Sequence, residues 1–238
     1  MAISDEAPGG LTMASVRASI HFLAASARLL ANGGRGEAPL RAHGPRSENR
    51  VALTFDDGPA DATPVVLSVL RPHCVRATFF VLGRRIGRRE EILRAISAEG
   101  HEIANHSWNH ELWGDPVRDL GQLTLTSEAI RHATGVRPQL FRPPYGHFTR
   151  RLSRIASAAR LYSIGWDVDP LDWSSPGADE IACRVLDHTC GGSIILLHDG
   201  HPTKGGELAR ALEQIVSDLV RRGYDFVTVS ELLIAPAT

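Results

Sequence analysis

The polar residues best suited to chemistry stand in five short groups. Asp56 and Asp57 lie in TFDDGP (54–59), His106 and His110 in HSWNH (106–110), and Arg142 in FRPPYG (141–146). Asp172 and Trp173 close WDVDPLDW (166–173), and His198 lies in SIILLHDG (193–200). Neighbouring carboxylates raise one another's pKa unless a cation or a donor separates their roles, and an unpartnered buried pair costs roughly several kcal/mol. Alone, Asp-Asp-Gly-Pro is also a common surface turn. Directly after the β-rich run VALTF it becomes a candidate for acid–base or metal chemistry. Two imidazoles at i, i+4, if carried on a helical turn, project from one side and can chelate one ion. By itself such a pair is more often a surface pair. With an Asp from the first strand end it becomes a donor set that leaves coordination positions open, the pattern of a catalytic rather than a structural metal. One divalent ion is expected, zinc in the first place, with cobalt or nickel also able to occupy such a site.

The remaining groups are weaker taken singly. Arg142 ends a strand before two stiffening prolines and could orient a carboxylate through a bidentate pair, or make an ordinary surface salt bridge. WDVDPLDW suits a sugar platform and equally a packed loop. His198 ends a wholly apolar run, where an acidic neighbour would make it a tuned acid or base. His147 and His201 follow two of these motifs and are expected as exposed rim residues.

Positioning these groups falls to seven β-rich runs: 51–55, 77–82, 102–106, 139–142, 161–166, 193–198 and 225–229. Helical stretches separate them at 64–71, 86–99, 118–134, 150–160, 178–190 and 206–222. Gly100 sits where a helix C-terminal cap belongs, and Pro116 where a first helical residue loses nothing by lacking an N–H. Strand and helix in alternation predict parallel strands with helices outside, hence an α/β fold. The pattern alone does not separate a barrel from an open doubly wound sheet. Every polar group above falls at a strand C-terminus or just after it, and in a parallel barrel those ends form one rim, where active sites are built.

The 238 residues are 43% hydrophobic and 22% charged, the composition of an ordinary globular protein and not of a collagenous, disordered or coiled-coil chain. A single domain fits that length. A net charge of -1 argues against electrostatic capture of nucleic acid or anionic membrane. Cys74, Cys183 and Cys190 show no CxxC spacing and are expected as small buried hydrophobes. Residues 1–49 are expected as a leader and a Gly/Pro/Arg-rich linker, and 50–238 as the functional domain. Residues 20–31 are too short to span a membrane and are interrupted by His21 and Arg28. With Asp5 and Glu6 ahead of them they make a poor signal peptide. A cytoplasmic location is the expectation, with export from a start at Met13 left open.

In this order, TFDDG, HSWNH, RPPY, DPLDW and LLHD resemble the five motifs of the NodB-homology polysaccharide deacetylases, carbohydrate esterase family 4. The resemblance covers residues ~50–232 and is nearest to the chitooligosaccharide deacetylases. It implies a distorted (β/α) barrel with fewer than eight strands and metal-dependent hydrolysis of an N-acetyl group on a hexosamine. N-acetylglucosamine units of chitooligosaccharide are the expected substrate. Peptidoglycan, a non-catalytic sugar-binding barrel and a non-sugar amidase are the alternatives. By position, Asp57, His106 and His110 would hold the metal and Asp56 would be the base. Arg142 would hold Asp56 in place as a carboxylate. His198 would be the acid, with Asp172 orienting it. The Tyr145 backbone N–H would help hold the oxyanion, while Trp173 and Leu196 would wall the acetyl methyl pocket. A monomer acting on an N-acetylated glycan is expected.

Overall fold

A computed structural model describes residues 40–111, 114–200 and 205–233. All seven anticipated strands form: β1 (Arg50–Asp56), β2 (Thr78–Val81), β3 (Glu102–Asn105), β4 (Leu140–Phe141), β5 (Tyr162–Ser163), β6 (Ile194–His198) and β7 (Asp225–Phe226). They pair in parallel in the order β5-β4-β3-β2-β1-β6, with β7 against the first residues of β1. Past β5 the chain runs on to Val168, which bridges Ile195 of β6 in parallel. The Asp167 and Val168 amides donate to the Ile194 carbonyl, and the Leu196 amide donates to that of Val168. The two sheet edges thereby meet, and the structure is a distorted (β/α) barrel and not an open doubly wound sheet.

Parallel strands covered on both faces read as continuous apolar runs, as in VALTF and IILL. Alternation divides their side chains between two layers. Leu53, Phe55, Ile195 and Leu197 pack outward under the helices, whereas Ala52, Phe80, Ala104, Leu140, Ile164 and Ile194 fill the inside.

The principal helices are α1 (Thr63–Leu70), α2 (Gly83–Ile86), α3 (Glu90–Ala98), α4 (Pro116–Thr134), α5 (Arg150–Ala158), α6 (Ala178–His188), α7 (Gly205–Arg221) and α8 (Val229–Leu233). Pro116 is indeed the first residue of α4, behind Asp115, whose side chain accepts from the Val117 and Arg118 amides. Gly100 has φ +79 just beyond α3, a backbone that favours glycine. The single helix expected over 86–99 is instead divided into α2 and α3. The Gly83 and Arg84 amides are drawn to the Ser107 and Trp108 carbonyls, and Arg89 leaves helical geometry at φ -139.

One further expectation is corrected. Cys74, Cys183 and Cys190 are exposed free thiols and not buried hydrophobes. On α6 the inward stripe is Ile181, Ala182 and Val185, which turns Cys183 to solvent. The described part of the stretch expected as a linker is held to the barrel. Arg41 bridges Ile164, His43 bridges Ser193, and Arg46 pairs with Asp167 at 2.8 Å. Among the described residues, no helix is long and apolar enough to cross a membrane.

Register is what matters for the site. Asp56 lies beside Phe80 of β2 and His198 of β6, Val81 beside Asn105 of β3, and Asn105 beside Phe141 of β4. The strands therefore end level, and Asp56, His106, Arg142 and His198 emerge on one rim.

Candidate active site

Arg142 and Asp56 form the buried floor. Arg142 is 0% exposed and Asp56 3%. The Arg142 Nη1 donates to Asp56 Oδ1 at 2.7 Å and to Thr54 Oγ1 at 2.8 Å, and Nη2 donates to the Gly165 carbonyl at 3.0 Å. The guanidinium lies 4.1 Å from the centre of the Phe80 ring. A buried charge is tolerable only when paired and fully hydrogen-bonded, and here the pairing fixes which way Asp56 faces. The alternative of a surface salt bridge for Arg142 is excluded by its burial.

Asp57, His106 and His110 converge above this floor. Asp57 Oδ1 is 3.4 Å from His106 Nε2 and 3.1 Å from His110 Nε2, and one ligand atom from each residue lies within 4.8 Å of the others. His106 Nδ1 is 2.8 Å from the Arg142 carbonyl. A carbonyl only accepts, so Nδ1 carries a proton and Nε2 is the nitrogen turned to Asp57. Asp57 Oδ1 is buried without a hydrogen-bond donor among the described residues. Burial pushes the Asp57 carboxyl up, but the imidazoles of His106, His110 and His198 hold it well below the usual carboxylate range. An orphaned buried carboxylate oxygen facing two imidazole nitrogens fits a divalent ion, and two nitrogens with one oxygen leave positions open for substrate and water.

The imidazoles do not meet on a helical turn, as the spacing suggested. HSWNH is a loop in which Ser107 and His110 have φ of 75° and 62°. Part of its shape comes from residues that the motif does not contain. Asn105 Oδ1 accepts from the Ser107 amide, while Gln122 of α4 accepts from the Trp108 and Asn109 amides. Asp57, Tyr145 and Leu171 are left-handed too, with φ of 74°, 58° and 56°, so much of the rim is held in a backbone region that side chains disfavour.

Opposite stands His198. Its Nδ1 donates to Asp172 Oδ1 at 2.7 Å, and its backbone amide donates to Asp172 Oδ2 at 2.8 Å. Burial pulls the imidazole down, but the Asp172 carboxylate, with Asp56 and Asp57 behind it, raises it to about 9. His198 is thus a protonated donor at neutral pH, with Nδ1 engaged by Asp172.

Tyr145 is exposed, and its ring meets His110 edge-on at 4.4 Å. The Gly146 and His147 amides close the Pro144–Gly146 turn on Pro143 and Pro144, leaving the Tyr145 amide as the turn's unclosed donor. Trp173 is half exposed on the turn that carries Asp172. Leu196 lies buried two residues before His198 and so on the same strand face. His147 is exposed as expected, and His201 lies outside the described residues. Besides Asn105 and Gln122, the sequence left Thr54 and Asp199 without a part. Asp199 is fully buried beside the site, where burial and the charges of Asp57 and Asp56 push its carboxyl up to about 7 against the Thr63 hydrogen bond.

The chain is similar in sequence and fold to known proteins. The family model for polysaccharide deacetylase matches residues 43–164. A chitooligosaccharide deacetylase from Bradyrhizobium is 39% identical over 196 residues, covering 76% of this chain and 90% of that protein. A peptidoglycan-N-acetylglucosamine deacetylase from Bacillus cereus is 39% identical over 194 residues, covering 79% and 90%. Among solved structures, a peptidoglycan N-acetylglucosamine deacetylase superposes with a TM-score of 0.79 at 34% identity, over 82% of this chain and 92% of that one. The chain belongs to the polysaccharide deacetylase family, the NodB-homology enzymes of carbohydrate esterase family 4.

Proposed function

We propose that the protein removes the N-acetyl group from N-acetylglucosamine units of a chitooligosaccharide, releasing acetate. The observation that carries this is the meeting of three sets on one rim. These are the Arg142–Asp56 pair, the Asp57–His106–His110 donors and the Asp172–His198 pair. Asp57, His106 and His110 would hold a divalent ion, zinc first. Bound there, it supplies Lewis acidity toward the amide carbonyl and acidifies the attacking water. Asp56, fixed by Arg142, takes the proton as water adds to the carbonyl carbon. The Tyr145 amide faces the oxygen on which negative charge develops. His198, held by Asp172, gives its proton to the departing amine nitrogen, so that acetate and a free amine leave. Trp173 and Leu196 wall the acetyl methyl.

Peptidoglycan presents the same amide, and the second relative named above acts on it. Acetate release from chitotetraose and from peptidoglycan, each with and without a chelator, distinguishes the two. The expected result is chelator-sensitive release from chitotetraose; release from peptidoglycan alone overturns the choice of substrate. Binding without turnover on either glycan would favour the sugar-binding barrel.

Three further outcomes follow from the geometry. His106→Ala removes one of three ligands, so elemental analysis should show the ion lost; full metal content would refute the ligand set. The acid must be protonated to act, so activity should fall as the pH rises through about 9, where His198 loses its proton. Asp172→Asn removes the carboxylate that raises His198. The falling limb of kcat/KM should then move toward the ordinary histidine value of about 6.5, and an unmoved limb would assign the proton donor elsewhere.

A further inference from the structure

We propose that Asp199 is a positioning residue that sets where Asp57 stands relative to His106, His110 and His198; this rests on the deacetylase reading above. Asp199 follows His198 directly and is 0% exposed. Its Oδ2 accepts from Thr63 Oγ1 at 2.5 Å. Thr63 Oγ1 in turn accepts from the Ala60 amide at 2.8 Å. A hydrogen-bonded chain therefore runs from the turn after Asp57, through the start of α1, to the end of β6.

Two close contacts complete the lock. Gly58 lies flush against the Asp199 carboxyl, where a Cβ would stand 2.6 and 2.7 Å from its two oxygens. Gly200 lies flush against Asp57, where a Cβ would stand 2.3 Å from the Asp57 Cβ. The Gly200 amide also donates to the Asp56 carbonyl at 3.3 Å. Residues 198–200 and 56–58 are thus interlocked segment against segment, with the Asp199 carboxyl the nearest group to the space beside Gly58. Asp57 needs such support because its backbone is left-handed and its Oδ1 has no donor to anchor it. Truncating Asp199 opens a gap under Gly58 and frees Thr63. Asp57 then drifts from the two imidazoles, although none of the three ligands has been touched. Partners of this outer kind are typically worth ~10–100-fold in metal affinity or activity.

The test uses the full chain. Zinc affinity is measured by competition with a chelating dye, and kcat and KM by acetate release from chitotetraose, with circular dichroism to verify folding. Asp199→Ala should bind zinc about 10–100-fold more weakly, with kcat reduced and KM within about twofold. Asp199→Asn keeps the outline and the acceptor for Thr63 and should recover most of both losses. A folded Asp199→Ala that binds zinc like the parent, or an Asn variant as impaired as Ala, overturns the proposal. Should Asp199→Ala fail to fold, Thr63→Val decides, since it leaves Asp199 in place and removes the donor to its carboxyl together with the acceptor for the Ala60 amide. About tenfold weaker zinc binding supports the proposal, and parental affinity overturns it. A parent that binds zinc but releases no acetate would sink the deacetylase reading, and the zinc affinities would still decide the role of Asp199.

Discussion

Asp56→Asn is expected to lower kcat by about 10²–10⁴ while leaving both the bound ion and glycan binding in place. The substitution is isosteric, so Arg142 keeps an oxygen to donate to, now an amide oxygen 2.7 Å away in the parent geometry. What disappears is the ability to take a proton. The second oxygen of Asp56 is 3.8 Å from His106 Nε2, close enough to the Asp57–His106–His110 set to meet water attacking a carbonyl there. Measuring kcat, KM and metal content together separates the effects. A variant with normal metal content, unchanged KM and collapsed kcat identifies the base. Retention of more than a tenth of the parent rate would place the base elsewhere, and loss of the ion would make Asp56 a ligand instead.

Arg142→Met should be the most damaging single change to the fold within the site. Methionine replaces much of the stem against Phe80, but it leaves the Asp56 carboxylate buried with no cation and strips donors from Thr54, Ile164 and Gly165. Breaking a buried pair from one side costs about 3–5 kcal/mol, a fall in Tm of roughly 6–20 °C for a domain of this size. Activity should be lost with it. The double variant Arg142→Met/Asp56→Asn removes the stranded charge and should recover part of the stability without recovering activity. A thermal scan of the three variants checks this. If Arg142→Met melts with the parent, the pair does not support the fold.

Much of this was legible in the sequence because parallel barrels write themselves plainly. Runs such as VALTF and IILLH have to be buried on both faces, and the polar residue closing each run has to surface at the same end. The convergence of Asp56, His106, Arg142 and His198 follows from that rule together with register. What escaped was whatever depends on loop backbone. Spacing could not distinguish a helical turn in HSWNH from a loop tied down by Asn105 and Gln122, because the tie to α4 is made across 13 or 14 residues. Asp199 sat in plain view beside His198, yet its partner Thr63 is 136 residues away. Cys183 is exposed against expectation because residue type alone does not say which stripe of α6 faces inward. The strands β4, β5 and β7 are two residues long each, shorter than the β-rich runs that announce them.

The left-handed rim has a consequence for anyone adapting the protein to heat. Asp57, Ser107, His110, Tyr145 and Leu171 sit in torsions that glycine would adopt more easily. A consensus or library screen scored on melting temperature alone would be drawn to those positions, and each gain there would loosen a loop that the chemistry needs rigid. Thermal robustness and turnover are therefore set against each other along this edge of the molecule. The exposed helix faces on the barrel's outside are the place to seek one without losing the other.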